Sequence, residues 1–464
     1  MKDEVKAFKK EKHSGKHSFH PSSFILHPCF SFPAIFCFEM RKQERKGSKP
    51  ARRDRLSVKL LMILVGLILG LLVVEVGLRI VGYSFPTFYA TDAERGVALR
   101  AGVEGWYRRE GRNYVRINSD GLRDREHTKT KPPNTVRIAV IGDSYAEALQ
   151  VPMDNAFWAV MAEQLRQHCP RFAGQQVEVI NFGVSGYGTA QELITLRQKV
   201  WDYSPDIVLL AVCTGNDITD NSRILKKTDI PYFVYSEGQN LTLDNSFRDS
   251  PAFRLQNSAL SSVGSWLRNH LRFVQAIIEA QIVIKSYIAQ KRAASRASAA
   301  ITAAAAEPER PPAAPPADLA RSQELGLDNL IYREPTDAVW KEAWRVTEGV
   351  ITLMRDEVKS RGAKFLVVTL SNGIQVHPDS QGRRAFMQNV GATDLFYPDQ
   401  RIKALCEREG INVLTLAPVL QAYAEQQKVF LHGFDKNIGN GHWNTLGHRI
   451  AGELIAQKIC DSVQ

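Results

Sequence analysis

The feature that most restricts this chain is an uninterrupted run of 15 apolar or glycine residues, 60–74, inside the mostly apolar stretch 58–81. Coiled as a helix, that stretch reaches about 36 Å at ~1.5 Å per residue, enough to cross a hydrocarbon core of roughly 30 Å. Glu75 and Arg79 fall near its far end, one turn apart, where they can pair and approach the headgroups. A lone carboxylate at the centre would instead cost a few kcal/mol. Nine Lys/Arg lie between Arg41 and Lys59, whereas the nearest basic residues after Arg79 are Arg95 and Arg100. The positive-inside rule then predicts a single-pass protein with a cytoplasmic N-terminus and everything beyond about residue 82 outside. A cleaved signal peptide is the competing reading. Small residues suited to a cleavage site are poorly represented over 82–90, which favours an uncleaved anchor.

The net charge of +11 invites a nucleic-acid reading, but its distribution argues against one. Residues 1–59 hold 15 Lys/Arg against 6 Asp/Glu, and the remaining 405 residues hold 45 against 43. The larger part is nearly neutral and offers no basic face for phosphates. Residues 1–39 are of low complexity and do not read as part of a fold. Met40 opens a basic flank, 40–57, and is expected to be the true start, with the preceding residues extraneous. Six scattered cysteines show no metal-ligand spacing; one bridge in an oxidising compartment is possible, but the sequence does not assign it.

Beyond a juxtamembrane cap segment, 83–134, the pattern becomes strand then helix, repeated. Strands are predicted at 136–141, 177–181 and 206–212, with helices at 156–167 and 189–200 between them. Residues 225–334 break the alternation as an insertion, with a long helical stretch near 258–290 and an Ala/Pro-rich linker at 293–317. The pattern resumes with helix 337–361, strand 364–370, helix 398–409, strand 412–416 and a closing helix 446–459. Such alternation predicts an α/β fold, a three-layer α/β/α sandwich with a parallel sheet of about five strands, built from 135–224 and 335–464.

Three loops follow the first three strands and emerge at one sheet edge, where open α/β sheets place ligand sites. The first is Gly142-Asp143-Ser144, with Ser144 a candidate nucleophile. The second, Asn181-Phe-Gly-Val-Ser-Gly-Tyr-Gly188, has glycines that can aim backbone N–H groups at an anion. The third, Cys213-Thr-Gly-Asn-Asp217, offers the Asn216 amide as a neutral donor for an oxyanion. Of 11 histidines, His442 in Gly441-His-Trp-Asn-Thr-Leu-Gly-His448 is the stronger candidate base, and His448 reads as structural. A serine after a strand is usually only a helix cap, so the combination carries more weight than any single loop. Ser185 is a poor competitor, because a G-x-S-x-G elbow would need glycine where Tyr187 stands. No P-loop, dinucleotide fingerprint or zinc-protease motif is present.

Together these loops resemble the SGNH hydrolases, the GDSL-type esterase superfamily, across roughly 135–224 and 335–464, with 83–134 fitting its membrane-anchored bacterial members. The resemblance implies a flavodoxin-like sheet, Ser144 as nucleophile and His442 as base. It also implies an oxyanion hole from the N–H groups of Ser144 and Gly186 and the side chain of Asn216, with no cofactor and no metal. One departure stands out. The family usually places Asp three residues before the histidine, and here that residue is Gly439. Asp435 is the nearest carboxylate, so Asp435, a backbone carbonyl, or nothing at all (a Ser-His dyad) orients the imidazole.

The expected function is ester hydrolysis through an acyl-enzyme on an acylated envelope glycan or lipid, with the membrane as a further partner through the N-terminal helix. A polysaccharide O-acetyltransferase uses the same residues, and His442-Trp443 resembles the last block of alginate-acetylating SGNH proteins. A non-catalytic envelope scaffold is the third possibility, supported by the absent Asp.

Overall fold

The computed structural model describes residues 52–236, 240–305 and 328–462. The expectations for 1–39 and for a start at Met40 fall outside them. Helix α1 (Arg52–Ile80) contains a span, Leu56–Ile80, of mean hydropathy 2.8, long and apolar enough to cross a membrane.

The central sheet has five parallel strands: β1 (Thr135–Gly142), β2 (Gln176–Asn181), β3 (Ile207–Cys213), β4 (Lys364–Leu370) and β5 (Asn412–Thr415). Their order across the sheet is β5-β4-β3-β1-β2, the doubly wound, flavodoxin-like arrangement whose switch point lies between β1 and β3. Between or after the strands come α2 (Ser144–Glu147), α3 (Phe157–His168), α4 (Thr189–Gln198), α5 (Ala259–His270), α6 (Arg272–Ala305), α7 (Ala338–Ser360), α8 (Tyr397–Arg408), α9 (Leu416–Gln427) and α10 (Thr445–Ser462).

The three layers follow from the period-two alternation of the strands. Ile138, Val140, Leu209, Ala211, Leu366 and Val368 face α3, α9 and α10, forming one core. Their neighbours Ala139, Ile141, Val208, Leu210, Phe365 and Val367 face α4, α7 and α8, forming the other. β3 is buried at every position, as a central parallel strand covered on both faces must be. A disulfide joins Cys169, just past α3, to Cys460 in α10, a pairing the sequence left unassigned.

Residues 83–134 fold as two hairpins, Tyr89–Asp92 with Gly96–Leu99 and Glu104–Tyr107 with Asn113–Arg116. Phe88, Leu99, Val115 and Ile117 form a small third core with Leu149, Val184 and Tyr187, which belong to the loops after β1 and β2. Polar ties fix the docking: Asn113 donates to Val151 O at 2.7 Å, and Tyr187 donates to Val97 O at 2.6 Å.

Two expectations for the insertion need correcting. The helix near 258–290 is two helices, α5 and α6, broken at Leu271, whose extended backbone (φ −105°, ψ 115°) ends the first. The break is held by Glu75 and Arg79, which satisfy backbone groups on its two sides. The linker beginning at 293 is still helical to Ala305, because its first residues are alanine-rich and the first proline is Pro308.

Candidate active site

Strand β1 ends at Gly142, where a Cβ would press on Ala146 and on Ala211 of β3, at 3.0 and 3.1 Å. The chain then turns into α2, with Asp143 as its N-cap accepting from the backbone N–H of Tyr145 at 2.9 Å. Trp158 Nε1 donates to Ala146 O at 2.9 Å and holds the short helix from α3. These constraints place Ser144 at the sheet edge, partly exposed. Its Oγ lies 2.7 Å from His442 Nε2, the geometry of a nucleophile and its base.

The group on the other imidazole nitrogen is Glu110. Its Oε2 is 2.5 Å from His442 Nδ1, and its Oε1 accepts the His442 backbone N–H at 2.8 Å, so one carboxylate clamps the residue at two points. Glu110 sits in the turn of the second cap hairpin, 332 residues from His442. Gly441 permits the approach: its φ is +83°, and a Cβ there would collide with Glu110 Oε1. Asp435 is therefore not the orienting group. It is exposed in a short 3₁₀ turn (Asp435–Asn437) and makes no hydrogen bond or ion pair among the described residues. The Ser-His dyad is likewise displaced by a Ser-His-Glu arrangement.

Electrostatics reinforce the geometry. Burial alone disfavours the His442 imidazolium, but the hydrogen bond and charge of Glu110 outweigh it and raise the pKa. Burial conversely pushes the Glu110 carboxyl up, and its bonds to His442 more than reverse that, leaving it below its ordinary range. A third member of this kind fixes the tautomer that leaves Nε2 free to accept the serine proton.

Of the oxyanion candidates, Asn216 is tied to the nucleophile turn through Asp143. Asp143 Oδ2 lies 3.4 Å from Ser144 Oγ and 3.2 Å from Asn216 Nδ2, so one buried carboxyl group touches both the nucleophile and the amide. Burial raises the pKa of that carboxyl. Gly186 lies at φ +80°, in the left-handed region that favours glycine, with open space where a side chain would be. Its loop is packed on the nucleophile turn: at Gly183 a Cβ would run into Ala146 and the Glu147 N.

Sequence reasoning also missed Glu147 and His432. The buried Glu147 carboxylate accepts from Ser185 Oγ, from the Ser185 N–H at 3.2 Å and from Tyr89 OH at 2.8 Å, joining the nucleophile helix, the second loop and the cap. Burial lifts its pKa to about 7 against those bonds. His432 is fully buried, with Nε2 3.0 Å from Ser371 Oγ and Nδ1 2.7 Å from Gly441 O, and burial drops its pKa to about 4. It braces the loop that carries His442. His448 accepts from Phe157 N at 3.3 Å through Nδ1, in keeping with a structural role. Trp443 is buried and donates to Ser371 Oγ at 2.8 Å, so here it is a wall of the core.

Known proteins offer limited likenesses. No family model matches the chain. An arylesterase of Vibrio mimicus is 32% identical over 74 residues, which is 16% of this chain and 34% of the relative. The chain thus spans about a third of the length of that curated relative. Among solved structures, the acetyl xylan esterase AlAXEase aligns over 71% of this chain and 100% of its own, at 13% identity and a TM-score of 0.33. A lipase/acylhydrolase from Enterococcus faecalis aligns over 71% and 97%, at 12% identity and 0.32. These three likenesses are to esterases and a lipase/acylhydrolase. At such identities and TM-scores, the reading of the site rests on its own atoms.

Proposed function

We propose that this chain is a membrane-anchored serine esterase of the SGNH type, acting through an acyl-enzyme on an acylated glycan or lipid outside the cytoplasm. One observation carries the reading: the relay from Ser144 Oγ to His442 Nε2 at 2.7 Å and from His442 Nδ1 to Glu110 at 2.5 Å. Glu110 supplies the orienting carboxylate whose absence at 439 favoured a non-catalytic scaffold.

His442 takes the Ser144 proton as Oγ bonds to the ester carbonyl carbon, and Glu110 stabilises the imidazolium. The N–H groups of Ser144 and Gly186 and the Asn216 amide receive the tetrahedral oxyanion. Asn216 now makes long contacts of 3.2 and 3.5 Å to Asp143 and Asp220, which a full oxyanion can outcompete. Collapse expels the alcohol, which takes the proton from His442. Water, deprotonated by the same histidine, then releases the acid and regenerates Ser144.

The extracytoplasmic placement is supported by the basic flank before the apolar stretch 58–81 and by the Cys169–Cys460 disulfide, which belongs to an oxidising compartment. The test is p-nitrophenyl acetate hydrolysis by the full chain and by Ser144→Ala, with a fluorophosphonate label located by peptide mapping. The expected result is a loss of about 10⁴-fold or more in kcat and labelling at Ser144 alone. Equal rates in the two proteins would reject the reading.

A further inference from the structure

Helix α5 is amphipathic the wrong way round for a helix packed on a protein. Leu260, Val263 and Trp266 are 80%, 57% and 55% exposed, and Leu267 is 38% exposed. The half-buried positions are Ser261, Ser265 and Asn269, the last accepting from Arg100 at 2.7 Å through its Oδ1. At 3.6 residues per turn the four apolar side chains fall within an arc of about 120°, and the serine edge lies outside it. A surface helix ordinarily turns its apolar stripe inward; here the stripe faces away and the protein holds the polar edge. Such a face requires an apolar partner.

The same helix is tied to the end of the membrane span. Arg79 donates to His270 O, the C-terminal end of α5, at 2.7 Å. Glu75 accepts from the Phe273 N–H in the first turn of α6 at 3.1 Å, and Glu75 pairs with Arg79 at 2.8 Å. Both belong to the last two turns of the span, so these bonds fix the α5–α6 break at the level where α1 leaves the hydrocarbon. Trp266, stacked on His270 with ring centroids 4.7 Å apart, is the residue type that settles at a membrane–water boundary.

We propose that α5 is an interfacial helix, lying on the leaflet at which α1 ends with Leu260, Val263, Trp266 and Leu267 immersed at the boundary of headgroups and acyl chains. The occupant of the apolar face is the bilayer itself, because Glu75 and Arg79 tie the C-terminal end of α5 to the last turns of the span. The domain is thereby held on the membrane by a second contact and is not suspended from a single helix.

The experiment uses the full chain in vesicles of phosphatidylcholine and phosphatidylglycerol brominated near the top of the acyl chains, on preparations with wild-type melting temperature. Tryptophan emission of the wild type is expected to be quenched, and Trp266→Phe to lose most of that quenching. In the Trp266→Phe background, Val263→Trp should restore it, whereas Arg268→Trp, on the far side of the helix, should not. Unchanged quenching in Trp266→Phe would overturn the proposal, as would equal restoration by Arg268→Trp. Trp266 shielded from bromolipid in a concentration-dependent dimer would assign the face to a second copy and overturn it too.

Discussion

The two halves of the proposed proton relay stand on different kinds of structure. Ser144 leaves a strand packed on both faces, and His442 sits beside fully buried Trp443 and His432. Glu110 is in the turn of a hairpin whose strands are four residues each, carried by a cap with a core of a few side chains. The sheet positions its residues by burying them, while the cap positions its carboxylate by docking. Competence at the serine therefore depends on the Asn113–Val151 and Tyr187–Val97 contacts as much as on the sheet.

Glu110→Gln is the sharpest way to break that comparison. It keeps the shape but removes the charge, and kcat is expected to fall by about 10³–10⁴-fold on a p-nitrophenyl ester. The pH profile supplies the decisive readout. Glu110 raises the His442 pKa, so in the wild type the free base is lost as pH falls through a value above the ordinary histidine range. Without the carboxylate, the acid limb of the residual activity should move to lower pH. An unmoved limb would make Glu110 a packing residue.

The fold was legible because its signal is local and periodic. Each strand of the sheet announces itself as a β-branched run, and strand 364–370 coincides with Lys364–Leu370 to the residue. Ser144 and His442 stood out in the sequence for a like reason, lying in short loops just after a strand and just before the final helix. Glu110 was not. A glutamate between Arg109 and Gly111 has no pattern of its own, and its role exists only once a 332-residue separation has closed. The sequence carried only the negative sign, Gly439 where an Asp is usual. The helix break at Leu271 was hidden for a like reason, since its cause lies in Glu75 and Arg79, almost 200 residues earlier.

On the sheet side, Asn216→Ala is expected to lower kcat by about 10²–10³-fold with little change in KM, because an oxyanion donor acts in the transition state. The acid limb should stay in place, in contrast to Glu110→Gln. Steady-state kinetics over pH on both variants separates stabilising an anion from orienting a base.

The disulfide tests the sheet's share of stability. Cys169→Ser in the full chain is expected to cost about 2–4 kcal/mol by denaturant or thermal unfolding. Activity at 25 °C should hold, since the bridge joins the C-terminal ends of α3 and α10, whereas His442 precedes the N-terminal end of α10. A loss of kcat without loss of stability would mean that the α10 side sets the His442 position more directly than its hydrogen bonds indicate.

The smallest expected effect is at Asp435, and it bears most directly on which carboxylate serves the histidine. Asp435→Asn removes the charge nearest in sequence, yet the side chain is exposed and His442 Nδ1 is already occupied by Glu110. Asp435 lies at φ +50°, a conformation asparagine adopts at least as readily as aspartate, so the substitution introduces no backbone strain. Both kcat and melting temperature are expected to stay within about the ±0.5 kcal/mol range of ordinary surface changes. A large drop in kcat here, with Glu110→Gln nearly silent, would invert the assignment. It would mean that the loop of 433–441 closes on the histidine during turnover and that the cap hairpin only shields the site.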